Sequence, residues 1–244
     1  MIFDAKGSVI LSHFVRPEYL VEFLKSGVIT LIRQDKQPKD PNDGKLPQAC
    51  FDRPYEGPLE RMLGANPAFL ANQAKAIDGS RDQRFIQCWT FSPTLSIREA
   101  YSESGRRCEL RSSEEALKRM LGYEFLRGNE FPPRHQKFPE IPGAHGTVQL
   151  MPVVYTDGKE AIPVLPSYSA TTHKHSSLKD EAEIRVEALV YPDDVVVGAD
   201  DWKLRWSLAG FDGLHIAIGK KVPAELAEEI RQLAAERKIS VSGD

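Results

Sequence analysis

A chain of 244 residues is large for one domain and small for two, and its 41% apolar content is enough for a sizeable core. Its 32 basic and 35 acidic side chains give a formal net charge of −3, which excludes binding carried by a general positive field but not a local nucleic-acid site. Cys50, Cys88 and Cys108 are scattered, odd in number and form no C-x-x-C pair, so neither a disulfide framework nor a thiolate zinc site is expected.

Asp4 and Lys6 interrupt the apolar residues at the N-terminus, so no signal peptide is read there. No apolar run reaches the roughly 18 residues that span a bilayer. A reduced, cytoplasmic protein without membrane contact is expected, folded as a single domain over residues 1–244.

Val9-Ile10-Leu11 reads as a short buried strand that ends at Ser12-His13-Phe14. Pro17 suits a first helical turn, Leu20, Phe23 and Leu24 follow at helical spacing, and Gly27 suits a C-terminal cap. A second strand, Val28 to Ile32, completes a strand–helix–strand unit. Five prolines between 34 and 58 predict a long surface loop. A helical region from Pro58 to Ala76 follows, with Leu59, Met62 and Leu63 on one stripe.

Phe85 to Phe91 reads as a central, aromatic-rich strand broken at Ser92-Pro93-Thr94, and Ile97 to Tyr101 begins a short helix. Arg107 to Leu110 is strand-like and Ala116 to Leu121 helical. The Pro- and Gly-rich stretch Asn129 to Gly146 is read as a lid or covering loop. Val148 to Tyr155, Glu181 to Leu189 and Leu214 to Ile218 are strands, and the helix opened by Pro223 carries Leu226, Ile230 and Leu233 on one face. Elements mix without regular alternation, so the expected class is α+β: two small, mainly antiparallel sheets with flanking helices and a cleft between them.

The chemistry-bearing segment is Glu181 to Ala188. Ala182, Ile184, Val186 and Ala188 alternate with Glu181, Glu183, Arg185 and Glu187, so the charged residues share one face. The ordinary reading is a solvated face with weak cross-strand ion pairs. The functional reading is a cleft-facing carboxylate, with Glu183 placed to hold a substrate hydroxyl or stabilise developing positive charge. His13 sits at an element junction, where a structural histidine is the commoner outcome and a pocket residue the sharper one. His173 and His175 lack a third ligand nearby, so no metal is expected. The phosphate-loop, Rossmann, zincin and nucleophile-elbow motifs are all missing.

Several segments together resemble an uncharacterised bacterial family, domain of unknown function 2971. The order of motifs carries the likeness: the unit Val9 to Ile32, a loop Phe51-Asp52-Arg53-Pro54-Tyr55-Glu56-Gly57, then Cys88-Trp89-Thr90-Phe91-Ser92 with Tyr101 and Gly105. Lys179 to Arg185 and Ile216-Ala217-Ile218-Gly219-Lys220 complete it. Asp52-Arg53 stands where Asn-Asp is usual, and tryptophans common before Tyr101 and Glu181 are missing.

More remotely, the layout resembles the ADP-ribosyltransferase fold, particularly bacterial toxins that modify nucleic acid. That resemblance implies NAD as substrate and Glu183 as the catalytic carboxylate, with Glu181 as its alternative. It implies that His13, Phe14, Ser92 and Tyr101 bind the cofactor, His13 on the ribose, Tyr101 stacked on nicotinamide and Ser92 supporting Glu183. Arg53 and Glu56 are further candidates, Arg53 for a phosphate or the acceptor. The implied function is an ADP-ribosyltransferase or NAD glycohydrolase, a toxin or phage-defence protein, with nucleic acid or protein as acceptor. The alternative is a non-enzymatic module that binds a nucleotide or a partner.

Overall fold

The run Arg84–Phe91 forms strand β3, and the rest of the sheet is organised around it. In the computed structural model the described residues are 9–36, 45–91, 93–126, 129–131, 136–137, 145–164, 173–191 and 203–243. Strand β1 (Ile10–Val15), helix α1 (Pro17–Ser26) and strand β2 (Val28–Arg33) form the expected opening unit. Pro17 occupies the first turn of α1, and Gly27 closes it at φ 71°, a left-handed conformation that glycine adopts without penalty.

Helices α2 (Ala49–Asp52), α3 (Pro58–Met62) and α4 (Pro67–Gly79) come before β3. Helix α5 (Leu95–Tyr101), strand β4 (Cys108–Ser113) and helix α6 (Glu114–Met120) follow it. The side chains of Asn66, Thr94 and Ser113 cap α4, α5 and α6 by accepting the backbone N–H of Phe69, Ile97 and Ala116. Beyond them lie β5 (Glu124–Leu126), β6 (Asn129–Phe131), β7 (Gln136–Lys137), β8 (His145–Pro152), β9 (Val154–Thr156) and β10 (His173–His175). The chain closes with β11 (Glu183–Tyr191), β12 (Lys203–Ser207), β13 (His215–Ile218), helix α7 (Ala224–Glu236) and β14 (Ser240–Gly243).

The α+β class is found, but two small sheets are not. One ten-stranded sheet runs β14-β13-β4-β1-β3-β11-β8-β7, with β2 also on β3 and β12 on β2. All its pairings are antiparallel except β13 with β14, and the pairs β9–β10 and β5–β6 stand apart as small sheets. One edge of β3 serves two strands: Leu11 and Ser12 of β1 face Phe91 and Thr90, while Ile32 and Arg33 of β2 face Ile86 and Phe85. The sheet therefore forks along β3 rather than separating into two.

One face of this sheet is apolar. Leu11, Trp89, Ile184, Val186, Leu204 and Ile216 pack with α1, α6 and α7 into a single core cluster. A smaller core joins α2 and α4 to residues 161–164 through Leu46, Cys50, Leu70, Ala74, Ile77 and Ile162. This corrects two expectations. The proline-rich stretch contains a short helix with Cys50 fully buried. The helical region after Pro58 is two helices, because Leu63-Gly64 breaks it with Gly64 at φ 64°, and Glu60 points inward while Met62 and Leu63 are exposed. The stretch read as a lid lies largely outside the described residues.

Candidate functional site

Residues directly opposite in a ladder project to the same face. Ser12 faces Thr90, and Thr90 faces Glu183, so these three share the second, polar face of the sheet. Cys88 and Arg185 face each other two residues along, on that same side. The charged run at 181–187 was read as solvent-facing in its ordinary form. The structure corrects this: Glu183, Arg185 and Glu187 are buried on one face while Ile184, Val186 and Ala188 are buried on the other.

Glu183 is the hub. Its Oε2 lies 2.6 Å from Lys174 Nζ and its Oε1 2.5 Å from Arg185 Nε. Lys174 Nζ also reaches Glu181 Oε2 at 2.8 Å. Glu181 is not on the strand, as the alternation suggested, but ends a short 3-10 helix, Ser176–Glu181. Ala182, at φ 42°, turns the chain between them and lets β11 begin at Glu183. The backbone there is fixed on both sides: Glu183 N–H donates to Tyr155 Oη at 2.9 Å, Val153 N–H donates to Glu183 O, and Thr90 Oγ1 donates to Glu181 O.

Burial opposes the charge on Glu183, but Arg185 and Lys174 outweigh it and hold the carboxyl below its ordinary range. Lys174 is subject to the same burial, and the carboxylates, Glu183 foremost, raise it well above the ordinary lysine range. Two cations, Lys174 and Arg185, thus meet two carboxyl groups, Glu181 and Glu183, in one cluster with Glu183 at its centre. Removing one member would leave an uncompensated buried charge.

Two aromatic residues border this cluster. Tyr101 Oη donates to Glu181 Oε1 at 2.6 Å, and its ring stacks on Phe14 with centroids 6.0 Å apart and planes at 20°. Burial, then the bond to Glu181, raises the Tyr101 hydroxyl, so it remains a proton donor. One turn earlier on α5, Arg98 Nη1 reaches Glu109 Oε2 at 2.7 Å. Ser12 Oγ and Arg111 complete the set around Glu109 at 2.6 Å each. Helix α5 therefore lies across the polar face, moored by Arg98 to β4 and by Tyr101 to the short 3-10 helix that precedes β11.

The other sequence candidates fall elsewhere. His13 is on the apolar side, with its ring 5.4 Å from that of Trp89. Its Nδ1 donates to the Cys88 carbonyl at 2.8 Å, beside the fork where β1 leaves β3. Burial lowers this imidazole to about 4, so it is neutral with its proton on Nδ1. Arg53 and Glu56 are exposed in the loop after α2, with no hydrogen bond or ion pair to the Glu183 cluster among the described residues. Ser92 lies outside the described residues. No group of three His, Cys, Asp or Glu side chains among the described residues is placed to hold a metal ion.

Phe14, Tyr101, Glu181 and Glu183 are thus brought together as the sequence order suggested, and His13 is not with them. Sequence reasoning missed Lys174, Arg98 and Glu109. Only Arg185 carried a signal, because it shares the parity of Glu183 on β11. An ionised, desolvated carboxylate on the same sheet face as two rings is suited to accept hydrogen bonds and to stabilise positive charge, and unsuited to act as a general acid. Comparison with known proteins finds no matching family model, curated protein or solved structure. Among the described residues, no helix is long and apolar enough to cross a membrane.

Proposed function

We propose that the chain is an NAD-consuming enzyme, an ADP-ribosyltransferase or NAD glycohydrolase, with Glu183 as its carboxylate. One observation carries this reading: Glu183 is held ionised and buried on the same sheet face as the Phe14–Tyr101 ring pair. Breaking the nicotinamide–ribose bond develops oxocarbenium charge, which a preorganised carboxylate stabilises more than it stabilises the neutral ground state. Each Glu183 oxygen accepts from a cation, and a carboxylate has about four acceptor sites, so this reading assigns remaining acceptor capacity to a ribose hydroxyl. Tyr101 and Phe14 supply flat surface for an aromatic base. In this reading His13 serves the fork and is left out of the chemistry.

A second reading, a non-enzymatic nucleotide- or partner-binding module, is favoured by a different observation. Lys174 and Arg185 neutralise Glu183, which weakens its attraction for a developing cation. Incubation with NAD separates the two. Nicotinamide release that is lost in a folded Glu183→Gln variant supports the enzyme. Negligible release from both proteins, with an NAD-induced thermal shift that survives the substitution, supports the binding module. Neither release nor shift removes NAD from the account.

A further inference from the structure

Four carboxyl groups are buried among the described residues: Glu60, Glu109, Glu183 and Glu187. Glu109 and Glu183 are paired with cations, and Glu187 lies close to Arg84. Glu60, on α3 and 1% exposed, differs from them. Its carboxyl has no hydrogen-bond or ion-pair partner among the described residues, and its Oε1 is shielded from solvent. A carboxyl so placed costs stability until a polar or charged group reaches it.

The pocket is built around Gly57. Its backbone is extended, at φ −82° and ψ −174°, so glycine is required there by space rather than by conformation. A Cβ would lie 2.2 Å from Tyr55 Cε1 and 2.8 Å from Glu60 Oε2, so ring and carboxyl meet over the bare Cα. Tyr55 is 37% exposed and residues 54–57 hold no regular secondary structure, which makes its ring the movable part of the cover. Of the seven exposed large apolar side chains among the described residues, four lie in this stretch: Tyr55, Met62, Leu63 and Phe69. The exposed charges beside them, Asp52, Arg53, Glu56 and Arg61, are of both signs, so no surface field selects a ligand. Neither arginine reaches Glu60, and Arg61 Nη1 donates instead to the Glu56 carbonyl at 3.0 Å. The selecting group is the buried carboxyl.

We infer that this pocket takes an arginine side chain of a partner protein. A guanidinium supplies the missing charge and a planar fork of donors to the Glu60 carboxyl, and it stacks on a ring such as that of Tyr55. The exposed Met62, Leu63 and Phe69 provide the apolar contacts that surround such an anchor in a protein interface. A free small amine has no use for them. Nucleic acid, an anion, is repelled by the carboxyl. A local defect in the free chain is thereby kept for the bound state, as functional sites commonly break a rule of stability. The inference does not depend on the NAD reading.

The test is titration of the full chain, without NAD, with a panel of labelled peptides of roughly ten residues, each holding one arginine between leucine and phenylalanine. Twin peptides carry citrulline, which keeps the shape of arginine and loses its charge. Replacing arginine by citrulline, or Glu60→Gln in the protein, should each weaken binding roughly 10- to 100-fold, the contribution of a charge-assisted hydrogen bond. Glu225→Gln, exposed on α7, is the control and should bind as the parent does. In Glu60→Leu the partnerless carboxyl is gone, so Tm should rise by about 2 to 4 °C while peptide binding is lost. Should Glu60→Gln fail to fold, the citrulline twins on the parent chain make the same comparison. No saturable binding below about 1 mM, equal binding of arginine and citrulline peptides, or a Tm lowered by Glu60→Leu overturns the inference. Equal binding of lysine twins overturns the choice of arginine.

Discussion

His13 and Glu183 project from opposite faces of the same sheet. Ser12, the residue before His13, shares a ladder row with Thr90 and Glu183, and a strand alternates its side chains with period two. His13 is consequently on the apolar side with Trp89 and Ile184. Residues that stand in a suggestive order along a chain can therefore be separated by the thickness of a sheet. Phe14, one residue later, is on the side of Glu183.

The first prediction concerns the cluster. Glu183→Gln leaves Lys174 and Arg185 buried without their shared carboxylate, and is expected to destabilise the protein by about 3–5 kcal/mol. Glu181→Gln, at a side chain 20% exposed, should cost less than half of that. Urea denaturation at neutral pH measures both. The folded Glu183 is depressed below its unfolded value of about 4.5, so its contribution is complete above that pH and is lost as pH falls through the folded value. An equal or larger loss in Glu181→Gln would contradict the placement of Glu183 as the hub.

His13 gives a different acid dependence. Burial lowers it from 6.5 to about 4, so between those values the unfolded chain binds a proton that the folded chain does not. Stability therefore rises with pH across that window and is fully present above about 6.5. The contribution is up to about 3 kcal/mol. In His13→Gln the slope of stability between about pH 4 and 6.5 should flatten, with little change in the loss below about pH 4. An unchanged slope would show that His13 is solvated when folded.

Tyr101→Phe keeps the ring on Phe14 and removes the bond to Glu181. A hydrogen bond to a charged acceptor contributes about 1.5–3 kcal/mol, so amide exchange across α5 should quicken by roughly 10- to 100-fold. Exchange in β3 and β11 should change far less. Equal acceleration in the strands would mean that Tyr101 supports the whole sheet rather than α5.

Local rules made part of this legible. Pro17 and Gly27 bracket α1, the aromatic run makes β3, and the alternation at 182–188 makes β11, all from near neighbours in sequence. The forking of the sheet was not legible, because it depends on which residues of β3 each strand takes. The burial of both faces of β11 was hidden for the same reason. Its charges are compensated by Lys174, nine residues before Glu183 and separated from it by a turn at Ala182. Glu109 looked like an ordinary strand residue, and only the tertiary fold brings Arg98, Arg111 and Ser12 to it.

Helix α5 fully buries none of its side chains, and ion pairing, a hydrogen bond and one ring contact hold it in place. Lifting it would expose little hydrocarbon to water and so would carry a small heat-capacity change. Its detachment should then depend weakly on temperature and strongly on ionic strength, the reverse of the core beneath it. A cover of this kind makes access to the polar face a property of the surrounding electrolyte.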